Sequence, residues 1–262
     1  MSDIILNQSL IHYEAVGRGR PIVFLHGWVG SWRYWMSSMQ VASTSYRAYA
    51  LDMYGYGDTA HDPRHYSLDK QAALLSGFLD ELGIGKIAIV GHGLGALVGF
   101  YFAAQQPGSV DRIMAVSCPL DFNSIHARLR TSDAEELVDW LSNRSPESLS
   151  ALSDAPKADQ RAVAASMTSF QSDGLFSQFR GSNVPCLLVY GQNDLAMRVP
   201  EVEETESYGL HMHQVNLEDS GHFPMMDDAD RFNRLLTDFL ALESGFSPRE
   251  LQLKEEWKRR VR

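Results

Sequence analysis

The chain has 262 residues, of which 44% are hydrophobic, 10% aromatic and 21% charged, a globular composition that excludes disordered, collagen-like and disulfide-scaffold classes. Its 33 acidic and 23 basic side chains leave a formal charge of -10, a field that repels phosphate backbones and anionic lipid, so no nucleic-acid or membrane partner is expected. The start, Met1-Ser2-Asp3-Ile4-Ile5, does not read as a signal peptide, and no apolar run is long enough to span a bilayer. Cys118 and Cys186 adjoin apolar runs and read as buried thiols, which points to a reduced, cytoplasmic protein.

Leu10 to Val16 alternates weakly and is closed by Gly17-Arg18-Gly19-Arg20. Pro21 to Leu25 is an unbroken apolar run ending at His26-Gly27, and such runs suit strands buried on both faces of a parallel sheet. Tyr46 to Leu51, Lys86 to Val90, Arg112 to Val116 and Pro185 to Tyr190 repeat the pattern. Between them, Ser67 to Leu82 predicts a helix with Leu68, Ala72, Leu75, Phe78, Leu79 and Leu82 on one stripe and Ser67 as N-cap. Leu94 to Gln105 is apolar nearly all round, as a helix inside a large fold would be, and Ala229 to Leu242 carries Phe232, Leu235, Leu236 and Phe239 on one stripe. Strands alternating with helices predict a mostly parallel α/β sheet covered on both faces.

From Asp121 to about Gly181 the rhythm changes to short helical patterns divided by Pro146 and Pro156, an inserted helical cap of the kind that controls access to a site. The expected organisation is a core of residues 1–120 and 182–246, a cap of residues 121–181, and a helical tail of residues 247–262. Lys254, Lys258, Arg259, Arg260 and Arg262 would form a solvated face of that tail.

Ligands of open parallel sheets sit beyond the carboxyl ends of the strands, so the residues following each run matter most. In order they are His26-Gly27-Trp28-Val29-Gly30, Asp52-Met53-Tyr54-Gly55-Tyr56-Gly57-Asp58, Gly91-His92-Gly93-Leu94-Gly95 and Gly191-Gln192-Asn193-Asp194. Then, after a short alternating segment at Val215 to Leu217, comes Glu218-Asp219-Ser220-Gly221-His222-Phe223-Pro224. This order resembles the α/β-hydrolase superfamily, esterases and lipases among them, from about His12 to Leu242. The resemblance implies an α/β-hydrolase fold of about eight strands with helices on both faces. It also implies Asp194 as triad acid, His222 as base, the Trp28 and Leu94 amides as oxyanion hole, and no metal or organic cofactor. His26 and His92 would support their turns.

One position departs from the family. The elbow should read Gly-x-nucleophile-x-Gly, and its middle residue here is Gly93, which has no side chain to attack a carbonyl. Glycine adopts the strained turn readily, so the substitution keeps the fold while removing chemistry worth roughly 10⁶ in turnover. Three readings follow. The chain is a hydrolase relative that lost its nucleophile and now binds a ligand; or a His222–Asp194 general-base enzyme of the lyase or cofactor-free dioxygenase type; or a hydrolase whose nucleophile was removed by substitution. The same stretch satisfies a dinucleotide fingerprint through Gly91, Gly93 and Ala96, which would make an NAD(P)-dependent oxidoreductase. It sits too late in the strand order for that, and Asp111 lies at the wrong end of its strand to meet a ribose.

Ser31, Ser117 and Cys118 are weaker substitutes for the nucleophile, and Asp121 is a fallback acid. His211 and His213 lack a third ligand, so no metal site is expected. Trp32, Trp35, Phe122, Phe170 and Phe223, with Trp28, Tyr34, Met167, Phe176, Met225 and Met226, are expected to line an apolar pocket for a small hydrophobic ester or ring compound. The chain would act as monomer or homodimer.

Overall fold

The computed structural model describes residues 2–172, 174–179 and 182–251. Eight strands, β1 (Ser2–Leu6), β2 (Ser9–Gly17), β3 (Arg20–Leu25), β4 (Tyr46–Leu51), β5 (Ile87–His92), β6 (Val110–Val116), β7 (Cys186–Gly191) and β8 (Met212–Leu217), form one sheet in the order β1-β2-β4-β3-β5-β6-β7-β8. The pairs β1–β2 and β2–β4 are antiparallel and every later pair is parallel. The mostly parallel sheet is the one expected from the strand runs, and its eight strands agree with the number that the resemblance to α/β-hydrolases implies. The apolar runs are strands because they are buried on both faces: Ile22 to Leu25, Ile87 to Val90 and Cys186 to Tyr190 are at most 5% exposed.

Register sets the position of the chemistry. Leu25 pairs with Leu51 and with Gly91, His92 with Val116, Val116 with Val189 and Gly191 with Leu217. The carboxyl ends are therefore level, and the loops that follow them gather along one edge of the sheet.

Helices α1 (Met36–Ala42), α2 (Leu68–Glu81) and α3 (Leu94–Gln105) connect the first six strands. Between β6 and β7 run α4 (Arg128–Thr131), α5 (Ala134–Leu141), α6 (Pro146–Ala151), α7 (Gln160–Ser172) and α8 (Leu175–Phe179), with no strand among the described residues of this insertion. Beyond β7 come α9 (Val202–Glu206), α10 (Pro224–Asp227) and α11 (Ala229–Ala241). Helix α3 is buried on almost every face, as its sequence requires, and α11 buries Phe232, Leu235, Leu236 and Phe239. Ser67 sits at the N-cap of α2, but its hydroxyl donates to the Asp69 carboxylate rather than accepting from a helix amide. Asp69 in the first turn supplies negative charge at the helix start instead.

Strand β1 is not evident from the sequence, because its first residues carry only a weak alternation and Ile5 is 64% exposed. Cys118 and Cys186 are free and buried. The expected helical tail begins with a single 3-10 turn at Pro248–Glu250, and its basic residues lie outside the described residues. Among the described residues no helix is long and apolar enough to cross a membrane.

Candidate active site

The turn after β5 is built by backbone constraints. Gly93 has φ 48° and ψ -108°, a conformation that side-chain-bearing residues adopt only under strain of about 1–3 kcal/mol. Its amide donates to Val116 O at 2.9 Å, and the Gly95 amide donates to His26 O at 3.0 Å, so the turn is tied to both neighbouring strand ends. Helix α3 starts at Leu94, directing its amino terminus to the level strand ends. Among the described residues, neither the Trp28 nor the Leu94 amide is bonded to an acceptor.

His222 and Asp194 meet across the loops after β8 and β7. Nδ1 of His222 lies 3.0 Å from Oδ1 and 3.0 Å from Oδ2 of Asp194, with 2% and 0% of the two side chains exposed. Since a carboxylate only accepts, Nδ1 carries the proton and Nε2 is the basic nitrogen of the neutral ring. Burial alone would raise the Asp194 carboxyl. The His222 charge and hydrogen bond, the Ser117 hydroxyl and the Ala196 amide outweigh it and leave the group below the ordinary carboxylate range. The Ala196 and Met197 amides both donate to Asp194 Oδ1, at 2.8 and 3.1 Å, which fixes the acid's rotamer.

His92 anchors the backbone of this pair. Its Nε2 donates to His222 O at 2.9 Å, so its Nδ1 accepts from the Tyr34 hydroxyl at 3.0 Å, and that hydroxyl accepts in turn from the Gly27 amide. Burial, then the adjacent His222, pushes His92 well below the ordinary imidazole range, and burial pushes Tyr34 well above the ordinary phenol range. Both stay neutral, as the chain of bonds from oxyanion loop to base requires. His26 has the complementary arrangement: Nδ1 donates to Gly27 O at 2.8 Å, Nε2 accepts the Met53 amide at 3.0 Å, and burial lowers it to about 4. Tyr34, expected among the pocket aromatics, bridges two turns through its hydroxyl, a role that nothing in a lone tyrosine signals.

The indole of Trp28 dominates the space next to Gly93. A Cβ built on Gly93 would lie 3.2 Å from Cε3 and 3.2 Å from Cζ3 of that ring. Nε1 of Trp28 donates to Ser166 Oγ on α7 at 3.0 Å, so the ring is held from the inserted helices. A cleft of about 410 Å³ runs between α5 and α7 with Trp28 in its wall, together with Leu137, Pro156 and Val163 and the charged Asp133 and Glu135. None of the five expected pocket aromatics lines it.

Trp35 instead packs in the core, its ring 5.3 Å from Phe24 and 6.2 Å from Phe232, because it ends the helical turn Trp32–Trp35 on the buried side, directly before α1. Trp32 faces the sheet edge, 6.2 Å from the His12 ring, and Phe122 lies under the Arg130 guanidinium. Phe170 is 7% exposed within the core cluster. Phe223 alone stands beside the pair, 5.0 Å from the His222 ring and 5.2 Å from that of His92.

The remaining candidates are placed as follows. Ser31 Oγ donates to Asp154 Oδ2 at 3.1 Å, and Cys118 is buried with its thiol pushed up by burial. Ser117 Oγ donates to His222 O at 3.3 Å and so braces the base. Asp121 accepts the Ser124 amide and faces Arg198, while Asp194 is the acid that meets His222. Asp111 lies near the amino end of β6, bonded to Ser244 and Arg112, at the opposite end of the strand from the Gly93 turn. A ribose partner for the glycine turn is thus not in place. His211 and His213 join no group of ligating side chains among the described residues. Two acids not anticipated as site residues matter. Asp227 accepts the Gly221 amide at 2.9 Å and shapes the turn before His222, and buried Asp52 accepts the Trp32 amide at 2.9 Å and the Asp58 amide at 3.0 Å.

A level row of strand ends, an elbow between strand and helix, and a buried Asp–His pair across from it define the class of protein. The model of the "Alpha/beta hydrolase family" matches residues 22–235, and the chain belongs to that family. Epoxide hydrolase 3 of Siraitia grosvenorii is 39% identical over 113 residues, 42% of this chain and 35% of that protein. Epoxide hydrolase 4 of Homo sapiens is 26% identical over 281 residues, 89% of this chain and 76% of that protein. The matches to the plant relative above and to a soluble epoxide hydrolase of Corynebacterium span only 35% and 38% of those proteins. Among solved structures, the enol-lactonase from Burkholderia xenovorans superposes with TM-score 0.79 at 21% identity, covering 92% of this chain and 100% of that one. A thermophilic esterase from Thermogutta terrifontis gives 0.76 at 21% identity, covering 88% and 93%; both show the shared fold.

Proposed function

We propose that this chain is a hydrolase-family protein without a side-chain nucleophile, holding a small hydrophobic ester-like ligand between His222 and the amides of Trp28 and Leu94. Residues 121–181 act as its cap. The observation that carries the reading is a glycine at the elbow beside an otherwise assembled Asp194–His222 pair. A ligand carbonyl oxygen would take the two unbonded amides, as in an oxyanion hole. With no attacking atom at position 93, no acyl intermediate forms there, and the loss is worth roughly 10⁶ in turnover. The Trp28 ring, 3.2 Å from where a Cβ at position 93 would lie, would form one wall of the ligand site beside the elbow.

A second reading has its own support. Asp194 holds the proton on Nδ1 of His222, leaving Nε2 free to take a proton from water or from the ligand. The two are separated by assaying wild type, Gly93→Ser and His222→Ala on short acyl esters, thioesters and, given the names of the relatives, epoxides. The binding role predicts no turnover by wild type, quenching of tryptophan fluorescence by non-hydrolysable ketone analogues, and esterase activity gained by Gly93→Ser. The general-base role predicts wild-type turnover that His222→Ala abolishes. Wild-type turnover that survives His222→Ala contradicts both.

A further inference from the structure

At the opposite edge of the sheet from β8, the antiparallel register of β1 and β2 sets Asp3 against His12. Nδ1 of His12 lies 2.9 Å from Asp3 Oδ1, and because the carboxylate can only accept, Nδ1 carries the proton. Nε2 is then a lone pair. It is buried, and no hydrogen-bond partner meets it. The residue as a whole is 2% exposed, so the ring is out of reach of the bulk solvent at the surface. A buried acceptor left without a donor is costly and calls for an explanation.

The surroundings supply one. A nitrogen of His12 and one carboxylate oxygen each of Asp52 and Asp58 lie within 4.8 Å of one another. With Nδ1 taken by Asp3, Nε2 is the nitrogen available to a ligand. Glu14, two residues along the same face of β2, brings Oε1 to 3.9 Å from Nε2, too far for a hydrogen bond. The two Asp52 oxygens already accept the Trp32 and Asp58 amides, which holds the carboxylate in one orientation. Asp58 is 42% exposed and gives the cluster a route to solvent.

We propose that His12, Asp52 and Asp58 form a binding site for one divalent transition-metal ion of the Zn²⁺ class. One neutral imidazole with two carboxylates is a donor set for such an ion. The Asp3–His12 bond is the outer-shell contact that fixes tautomer and ring orientation in carboxylate–histidine–metal arrangements. Lys157, whose ammonium sits 2.7 Å from Asp58 Oδ1, competes for that carboxylate and has Asp154 at 3.0 Å as a second partner. The site is structural. It joins strand β2 to the loop that holds the Trp32 amide, and through Asp58 it adjoins the inserted helices. The sequence reading expects no metal, since ligands at positions 12, 52 and 58 leave no short spacing to recognise.

The test is calorimetric titration of the chelator-stripped full chain with Zn²⁺, with Mg²⁺ as control and the thermal midpoint followed in parallel. One Zn²⁺ per chain is expected, bound more tightly than Mg²⁺, with the midpoint rising as Zn²⁺ is added. His12→Gln is expected to abolish saturable binding, and Asp3→Asn, which touches no metal, to weaken it about 10- to 100-fold. Asp58→Asn, at an exposed position, is expected to weaken it as well and decides the matter should His12→Gln not fold. A His211→Gln/His213→Gln double variant is expected to bind as wild type does. Absence of saturable Zn²⁺ binding at millimolar concentration overturns the proposal. So does Zn²⁺ binding unchanged in the folded His12→Gln or Asp58→Asn protein.

Discussion

Three glycines of one turn are required for different reasons. A Cβ on Gly91 would lie 2.5 Å from the Ala96 amide nitrogen, and one on Gly95 would lie 2.3 Å from Leu25 O. These are backbone atoms of packed elements and cannot step aside. At Gly93 the obstacles are the positive φ and a side chain, the Trp28 ring, that must give by only a few tenths of an ångström. The expected order is therefore that Gly95→Ala destabilises by about 3 kcal/mol or more, and Gly93→Ser by about 1–3 kcal/mol. Urea denaturation of the two variants checks it, and a Gly95→Ala midpoint at the wild-type value contradicts the close approach. At this scale the sequence reveals the turn itself, because a glycine demanded by backbone proximity shows wherever a strand meets a helix. It hides the aromatic side chains' directions. Trp35 and Phe223 read alike as pocket candidates, yet one is enclosed by Phe24 and Phe232 and the other stands against His222.

The elements of the insertion are fastened to the core by polar contacts as well as packing. Ser166 on α7 accepts from Trp28 Nε1, and Asp154, before α7, accepts from Ser31 Oγ at 3.1 Å and pairs with Arg33. Lys157 reaches Asp58 at 2.7 Å. Ser166→Ala leaves a buried indole donor without an acceptor, an expected cost of about 1–3 kcal/mol. Hydrogen exchange is expected to quicken in α7 while β3, β5 and β6 keep their protection; uniform loss of protection would show that the contact does not act locally. Strand and helix positions in the core are legible because burial on both faces writes unbroken apolar runs, and a single buried face writes a stripe. Strand β1 is not legible, since an edge strand with Ile5 exposed has too little burial to impose a pattern. Nor is the donor–acceptor link between Trp28 and Ser166, 138 residues apart, which no local spacing records.

For the whole molecule, buried neutral histidines shape the response to acid. His26 is lowered to about 4 by burial, so between about pH 6.5 and 4 the unfolded chain takes a proton that the folded chain refuses. Its contribution is fully present above pH 6.5 and is lost as pH falls toward 4, by about 3 kcal/mol over the window. His92, held well below the ordinary imidazole range by burial and then by the adjacent His222, acts in the same direction. Asp52, raised to about 6 by burial, acts in the opposite one, stabilising the fold below its unfolded value and losing that contribution as pH rises to 6. The difference in unfolding free energy between wild type and His26→Asn removes the shared contributions. It is expected to shift by about 3 kcal/mol against wild type between pH 7 and pH 4. A difference that stays constant with pH would mean that His26 titrates in the folded protein as it does in the unfolded chain. None of this is visible in the sequence, where nine histidines look alike until burial distinguishes them.

The insertion leaves the sheet after β6 and returns at β7, two strands that are hydrogen-bonded neighbours, with Val116 paired to Val189. Departure and return through one seam mean that this segment can be lengthened, shortened or exchanged by recombination without altering the strand order beneath it. The sheet and the inserted helices are thus joined at one place in the strand order, between β6 and β7.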